Sequence, residues 1–148
     1  MTPFLVERAS VLPVAEAWRR LTDWERHSAT VPLTRITVLT DPPSGVGTAF
    51  VARTGLGPAA FADPMRVTVW QPPVGDRGSG HCRLVKTGRL VTGWAEIDVS
   101  PYGTGSRVRW RELLRVRGLP RLADGLTTRT GGLVFGRAVD ALLTRRDR

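Results

Sequence analysis

Apolar residues recur along this chain with two different periods, and the change of period divides it. After a short alternating opening, "FLVERAS", the segment "VLPVAEAWRRL" places Val14, Ala17, Trp18 and Leu21 at helical spacing. Pro13 suits the first position of that helix. In "TDWERHSATVP", Thr22 and Glu25 have the spacing of a capping box, so a second short helix is expected from Asp23. Pro32 closes it, because the residue before a proline is pushed out of helical geometry. The period then becomes two. "LTRITVLTD", "GTAFVARTG", "DPMRVTVWQPP", "HCRLVKTG", "RLVTGWAEIDVS" and "SRVRWRELLRVR" predict six more strands, separated by Gly and Pro punctuation. From about Thr127 to Arg146 the helical period returns through Phe135, Ala138, Val139 and Leu142. Strand, two short helices, six strands and one long helix indicate an α+β fold.

The last two strands form an expected hairpin around "SPYGTGS". Val91, Ala95, Ile97 and Val99 share one face of the first strand, and Trp94, Glu96 and Asp98 the other. A turn at Tyr102-Gly103 would set Asp98 opposite Arg107, Glu96 opposite Arg109 and Trp94 opposite Arg111. A slip of one residue would reverse every side chain. In that register the arginines of "RVRWRELLRVR" find partners within their own sheet, and their stripe is its solvated back. Glu112 shares the phase of Val108, Trp110, Leu114 and Val116, so alternation points a carboxylate inward. A buried carboxylate is costly unless paired or protonated. Lys86, in phase with Cys82 and Leu84, is a candidate partner. A structural ion pair and a functional group inside a pocket both remain open for Glu112.

Composition alters this picture little. The 148 residues suit one domain (1-148), and 41% hydrophobic content is ordinary for a globular chain. No apolar run approaches the roughly 20 residues of a membrane helix, and the N-terminus does not read as a secretory signal. The expected location is cytoplasmic. A net charge of +9 raises the question of nucleic acid, but Lys86 is the single lysine among 22 basic residues. A nucleic-acid surface usually mixes lysine, arginine and aromatic residues. No nucleic-acid partner is expected. One cysteine and two histidines make no metal site. Cys82 reads as a buried structural thiol, and His81 as a loop residue after "GDRGSG". "GVGTAF" and "GTGSRV" lie between strands, with no helix N-terminus to receive a phosphate.

"PVAEAWRRLTDWERHSATVP", "MRVTVWQPP", "GWAEIDVSPYGTGSRVRWRE" and the amphipathic tail resemble the START-like (SRPBCC, helix-grip) superfamily, in its polyketide cyclase/dehydrase and lipid-transport branch. The resemblance spans essentially the whole chain. It implies a seven-stranded antiparallel sheet curled around the long C-terminal helix, with two short helices closing one end. It also implies an apolar cavity between sheet and helix for a small hydrophobic, polyketide- or lipid-like ligand. No cofactor and no metal are implied, and a homodimer stays open. The candidate lining is Trp18, Trp24, Phe50, Phe61, Met65, Trp110, Glu112, Phe135 and Val139. Gly131, Gly132 and Gly136 either make room for a ligand or allow close helix–sheet packing. The branch includes enzymes, and none of their known pocket sets matches here. Glu112 and His27 are the candidates for acid–base catalysis, while a capping or solvated His27 is the plainer alternative. A ligand-free interaction module is the third reading.

Overall fold

The computed structural model describes residues 3–118 and 124–144. Seven strands form one antiparallel sheet: β1 (Phe4–Ser10), β2 (Thr34–Val38), β3 (Ala49–Thr54), β4 (Phe61–Gln71), β5 (Gly80–Lys86), β6 (Val91–Tyr102) and β7 (Gly105–Val116). Their order is β1-β7-β6-β5-β4-β3-β2, so a hairpin meander from β2 to β7 is closed by the first strand. Helix α1 (Val14–Thr22) follows β1, and α2 (Asp124–Thr144) ends the fold. All six strands expected after the short helices are present. The architecture is the expected α+β helix-grip fold, a curled sheet holding a long C-terminal helix.

The inward phase of the strands makes the core. Phe4 and Val6 of β1, Ile97 and Val99 of β6, and Val108 of β7 are buried where α1 and α2 pack on the sheet, and Val139 and Leu142 of α2 are buried with them. Val14, Ala17, Trp18 and Leu21 of α1 are all buried, as their spacing requires. Arg20 is buried with them: it pairs with Glu16 at 2.8 Å and donates to the Leu142 carbonyl at 3.3 Å. A guanidinium there satisfies carbonyls that the end of a helix leaves open.

Several local expectations are corrected. The second short helix is a 3₁₀ helix, Trp24–Ala29, and the capping box is not made. The Thr22 hydroxyl instead donates to the Trp18 carbonyl at 2.8 Å, inside the last turn of α1. Pro13 caps α1 from outside, one position earlier than expected. The β6–β7 hairpin turns at Gly103-Thr104, with Tyr102 opposite Gly105. Gly103 takes the positive φ of 59° that a two-residue hairpin loop needs. This moves the turn by one residue and the register by two, so every face is kept and every partner changes. Asp98 faces Arg109, Glu96 faces Arg111, and Trp94 faces Leu113.

The arginine stripe does carry partners on the sheet's back. Glu96 pairs with both Arg111 and Arg83, and Glu7 of β1 reaches Arg109 at 3.2 Å. Arg83 lies 4.9 Å from the Trp94 ring and Arg107 lies 4.2 Å from the Tyr102 ring. His81 is not a loop residue. It lies in β5 opposite Asp98, with Nδ1 and the Asp98 carboxylate 2.7 Å apart.

Candidate functional site

Between the sheet, α2 and the 3₁₀ helix lies a cavity of about 410 Å³. Its walls are mostly apolar. Trp24 stacks on Phe50 at 4.9 Å, and Trp110 lies 5.5 Å from Phe135 across the strand–helix gap. The sequence explains why these rings meet. Phe50 and Trp110 hold inward positions of β3 and β7, Phe135 lies on α2 two turns before the buried Leu142, and Trp24 opens the 3₁₀ helix.

One polar cluster interrupts this wall. Lys86 Nζ donates to Asp63 Oδ2 at 2.6 Å and lies 3.1 Å from Glu112 Oε1. Glu112 Oε2 also accepts from Trp110 Nε1 at 3.1 Å. The backbone dictates the meeting. Lys86 ends β5, opposite Met65 of β4, and Asp63 precedes Met65 by two residues on the same phase. On its other side β6 offers only Gly93 and Ala95 in the inward phase, and Ala95 faces Glu112. Small residues there leave Lys86 room to reach across β6 to β7.

All three charged groups are buried. Burial alone disfavours the Lys86 ammonium, but the charges of Glu112 and Asp63 outweigh that and hold its pKa above the usual value. Burial pushes Asp63 upward, against the opposing pull of Lys86. One cation serves two carboxylates, so full ionisation would leave the cluster one charge negative. Asp63 is the group that environment biases toward the protonated form.

His27 is buried beside this wall, with its ring 5.5 Å from Trp110. Its Nε2 lies 2.9 Å from the Leu21 carbonyl, which can only accept, so Nε2 carries the proton. Nδ1 is then a bare acceptor. Desolvation holds the His27 pKa below 6.5, and the imidazole is neutral at pH 7. Two buried polar atoms on cavity-lining residues have no hydrogen-bond partner among the described residues: Trp24 Nε1 and Asp63 Oδ1. Such groups are costly to leave unmade, and few native interiors tolerate many.

The structure brings most of the candidate residues together. Trp24, Phe50, Phe61, Met65, Trp110, Glu112, Phe135 and His27 all border the cavity. Trp18 and Val139 are buried but do not border it. Trp18 instead packs 5.2 Å from Trp70 and lies close over Gly80, where a Cβ would come within 2.6 Å of its ring. Gly131 borders the cavity and also lets α2 approach Phe4, whose ring would lie 2.7 Å from an added Cβ. Sequence reasoning missed Asp63. The signal was its shared phase with Met65 in "DPMRV", obscured by Pro64 between them. Among the described residues no group of three His, Cys, Asp or Glu side chains could hold a metal ion.

A curled seven-stranded sheet gripping a C-terminal helix, with a cavity between them, defines the START-like helix-grip class of folds. Solved structures bear this out at low sequence identity. Ara h 8.0201 matches over 97% of this chain and 98% of its own, with a TM-score of 0.62 and 12% identity. The Zhui aromatase/cyclase from Streptomyces sp. R1128 matches over 99% and 95%, at 0.66 and 13%. The di-domain ARO/CYC StfQ from the steffimycin biosynthetic pathway matches 96% of this chain at 0.69 and 11% identity, and the match spans 49% of StfQ. At such identities the likeness establishes the fold. No family model and no curated protein matches the sequence.

Proposed function

We propose that this protein binds a small aromatic or lipid-like molecule in the cavity between sheet and α2, and that the molecule carries at least one hydrogen-bonding group. The observation that carries the reading is the combination of an apolar cavity of about 410 Å³ with the buried Asp63–Lys86–Glu112 cluster in its wall. The volume lies within the range of small-molecule sites, which are mostly apolar with a few placed polar groups. Stacked aromatics favour flat ligands. The Asp63, Lys86 and Glu112 side chains in the wall favour a ligand with a hydrogen-bonding group.

A second reading, an acid–base enzyme such as a polyketide cyclase or dehydratase, is favoured by one observation. Two titratable groups of suitable opposite bias border the same cavity: a neutral His27 with a bare Nδ1, and an Asp63 pushed toward its protonated form. His27 would take a proton from an acidic carbon, and Asp63 would give one to a departing hydroxyl. Two of the similar structures are described as aromatase/cyclases.

Calorimetric titration with naphthalene and 2-naphthol tests the binding reading. Both should bind, and 2-naphthol should bind about tenfold more tightly, since one hydrogen bond in an apolar site is worth that much. Leu114→Trp, which fills the cavity from β7, should abolish both. If neither compound binds the native chain, the reading fails.

A further inference from the structure

The antiparallel meander gathers one set of strand ends at the same end of the sheet: the starts of β2, β4 and β6 and the finishes of β3, β5 and β7. The cavity extends to this end, for Thr34, Thr54, Val91 and Val116, which begin or finish four of those strands, all border it. Phe61 borders it too and is 39% exposed. Exposed apolar residues also occur on other loops, at Leu39, Val46 and Val74, so two features taken together matter at this opening.

First, the loops around it hold leucines out to solvent. Leu33 is 63% exposed, Leu56 71% and Leu90 41%, each on a different loop. Leu33 sits in the left-handed region at φ 55°, a conformation that leucine rarely takes. Its carbonyl accepts from Gly55 at 3.0 Å, which fixes the two leucine-bearing loops side by side. Second, arginines at this end lack acids. Farther along the sheet's back, Arg83, Arg109 and Arg111 each pair with a carboxylate. Near the opening, Arg89, Arg115 and Arg117 surround a shallow depression that shares Val116 with the cavity, and no carboxylate pairs with them among the described residues. Arg35 and Arg53 face each other directly across β2 and β3, again without an acid. Like charges in direct opposition cost stability.

We propose that the open end of the cavity docks on an anionic lipid bilayer, with the three leucine tips in the interface and the unpaired arginines at the level of the lipid phosphates. A bilayer offers a plane of phosphate beside an apolar interior, which matches leucines exposed on the loops and arginines on the neighbouring strand ends and loops. The leucines stand on separate loops and form no groove, so the surface lacks the shape that a protein helix or strand would require. A nucleic acid would leave the leucines unused. Docking does not depend on what the cavity holds, but it would present the cavity's opening to the membrane.

Cosedimentation with vesicles of phosphatidylcholine containing one-third phosphatidylglycerol, beside pure phosphatidylcholine vesicles, tests this. The chain should bind the anionic vesicles selectively, and high salt should release it. Arg115→Gln with Arg117→Gln should weaken binding by roughly thirtyfold, about fivefold for each basic residue at an anionic surface. Leu33→Ser with Leu56→Ser should also weaken it, whereas Arg107→Gln with Arg109→Gln, farther from the opening, should leave it unchanged. All these side chains are at least partly exposed, so circular dichroism should show folded variants. The proposal is overturned by absent or charge-independent vesicle binding, by an equal loss in the distant arginine pair, or by indifference to the leucine changes. Tighter binding to a duplex oligonucleotide than to the vesicles would overturn it too.

Discussion

Lys86 is the point at which the interior is most easily broken, and Glu112 a point at which it should bend. At an effective dielectric constant of about 20, the 2.6 Å contact with Asp63 and the 3.1 Å contact with Glu112 are worth about 6 and about 5 kcal/mol before desolvation is charged against them. The two are comparable, so either carboxylate alone can serve the ammonium. Glu112→Gln keeps an acceptor for Trp110 Nε1, leaves Lys86 paired with Asp63, and removes the surplus negative charge. Its cost should stay within about 1 kcal/mol, the size of an ordinary hydrogen bond. Lys86→Met leaves two buried carboxylates facing each other with no cation, and should cost about 3–5 kcal/mol at pH 7. That penalty should shrink as the pH is lowered. Burial already pushes Asp63 upward, and without the lysine nothing opposes it. A carboxyl whose folded pKa exceeds its unfolded value takes up protons more readily when folded, so acid favours the folded variant. Urea denaturation of both variants at pH 7 and pH 5 reads all of this. Equal losses in the two, or a Lys86→Met penalty independent of pH, would refute the shared-cation argument.

Trp24 is stacked on Phe50 and only 3% exposed, so Trp24→Ala should cost about 3–5 kcal/mol in urea denaturation; an unchanged midpoint would show that the 3₁₀ helix does not close the core. Burial pushes the Cys82 thiol up to about 12, so iodoacetamide at pH 8 should modify it only in the unfolded chain. His27 has a folded pKa held below 6.5 by burial. Its contribution to stability is therefore fully present above about pH 6.5 and lost as the pH falls below that, because the unfolded chain then binds the extra proton. His27→Gln keeps a donor for the Leu21 carbonyl and cannot titrate, so its stability should fall less than the native chain's between pH 6.5 and 5.

Periodicity alone revealed most of the architecture, because a half-buried strand and a helix on a sheet leave different repeats in the chain. It also told which face each β6 and β7 side chain takes, including the inward Glu112. It failed wherever the answer depends on a displacement that preserves phase. Moving the hairpin turn from Tyr102-Gly103 to Gly103-Thr104 exchanged the partners of Asp98, Glu96 and Trp94 without changing one face. Thr22 and Glu25 had the right spacing for a capping box, yet the Thr22 hydroxyl has an acceptor one turn back in its own helix. Spacing cannot say which of two local acceptors wins. Asp63 was hidden for another reason. Its role depends on Lys86 lying two strand positions away on a neighbouring strand, and such cross-strand proximity leaves no trace in the local pattern.

The buried cluster bears on function through an energetic comparison. Apolar residues of similar volume in place of a buried ion pair are often neutral, or stabilising by about 1–4 kcal/mol. Stability alone therefore does not account for Asp63, Lys86 and Glu112 standing in an otherwise apolar wall. Nor does it account for Asp63 Oδ1 and Trp24 Nε1, which face burial without partners. A wall built only for packing would have closed these positions with aliphatic side chains, as β6 does at Ile97 and Val99. In the free chain their cost is carried by the rest of the core, which is where the stacked aromatics and the buried inward phases of β1, β6 and β7 matter most.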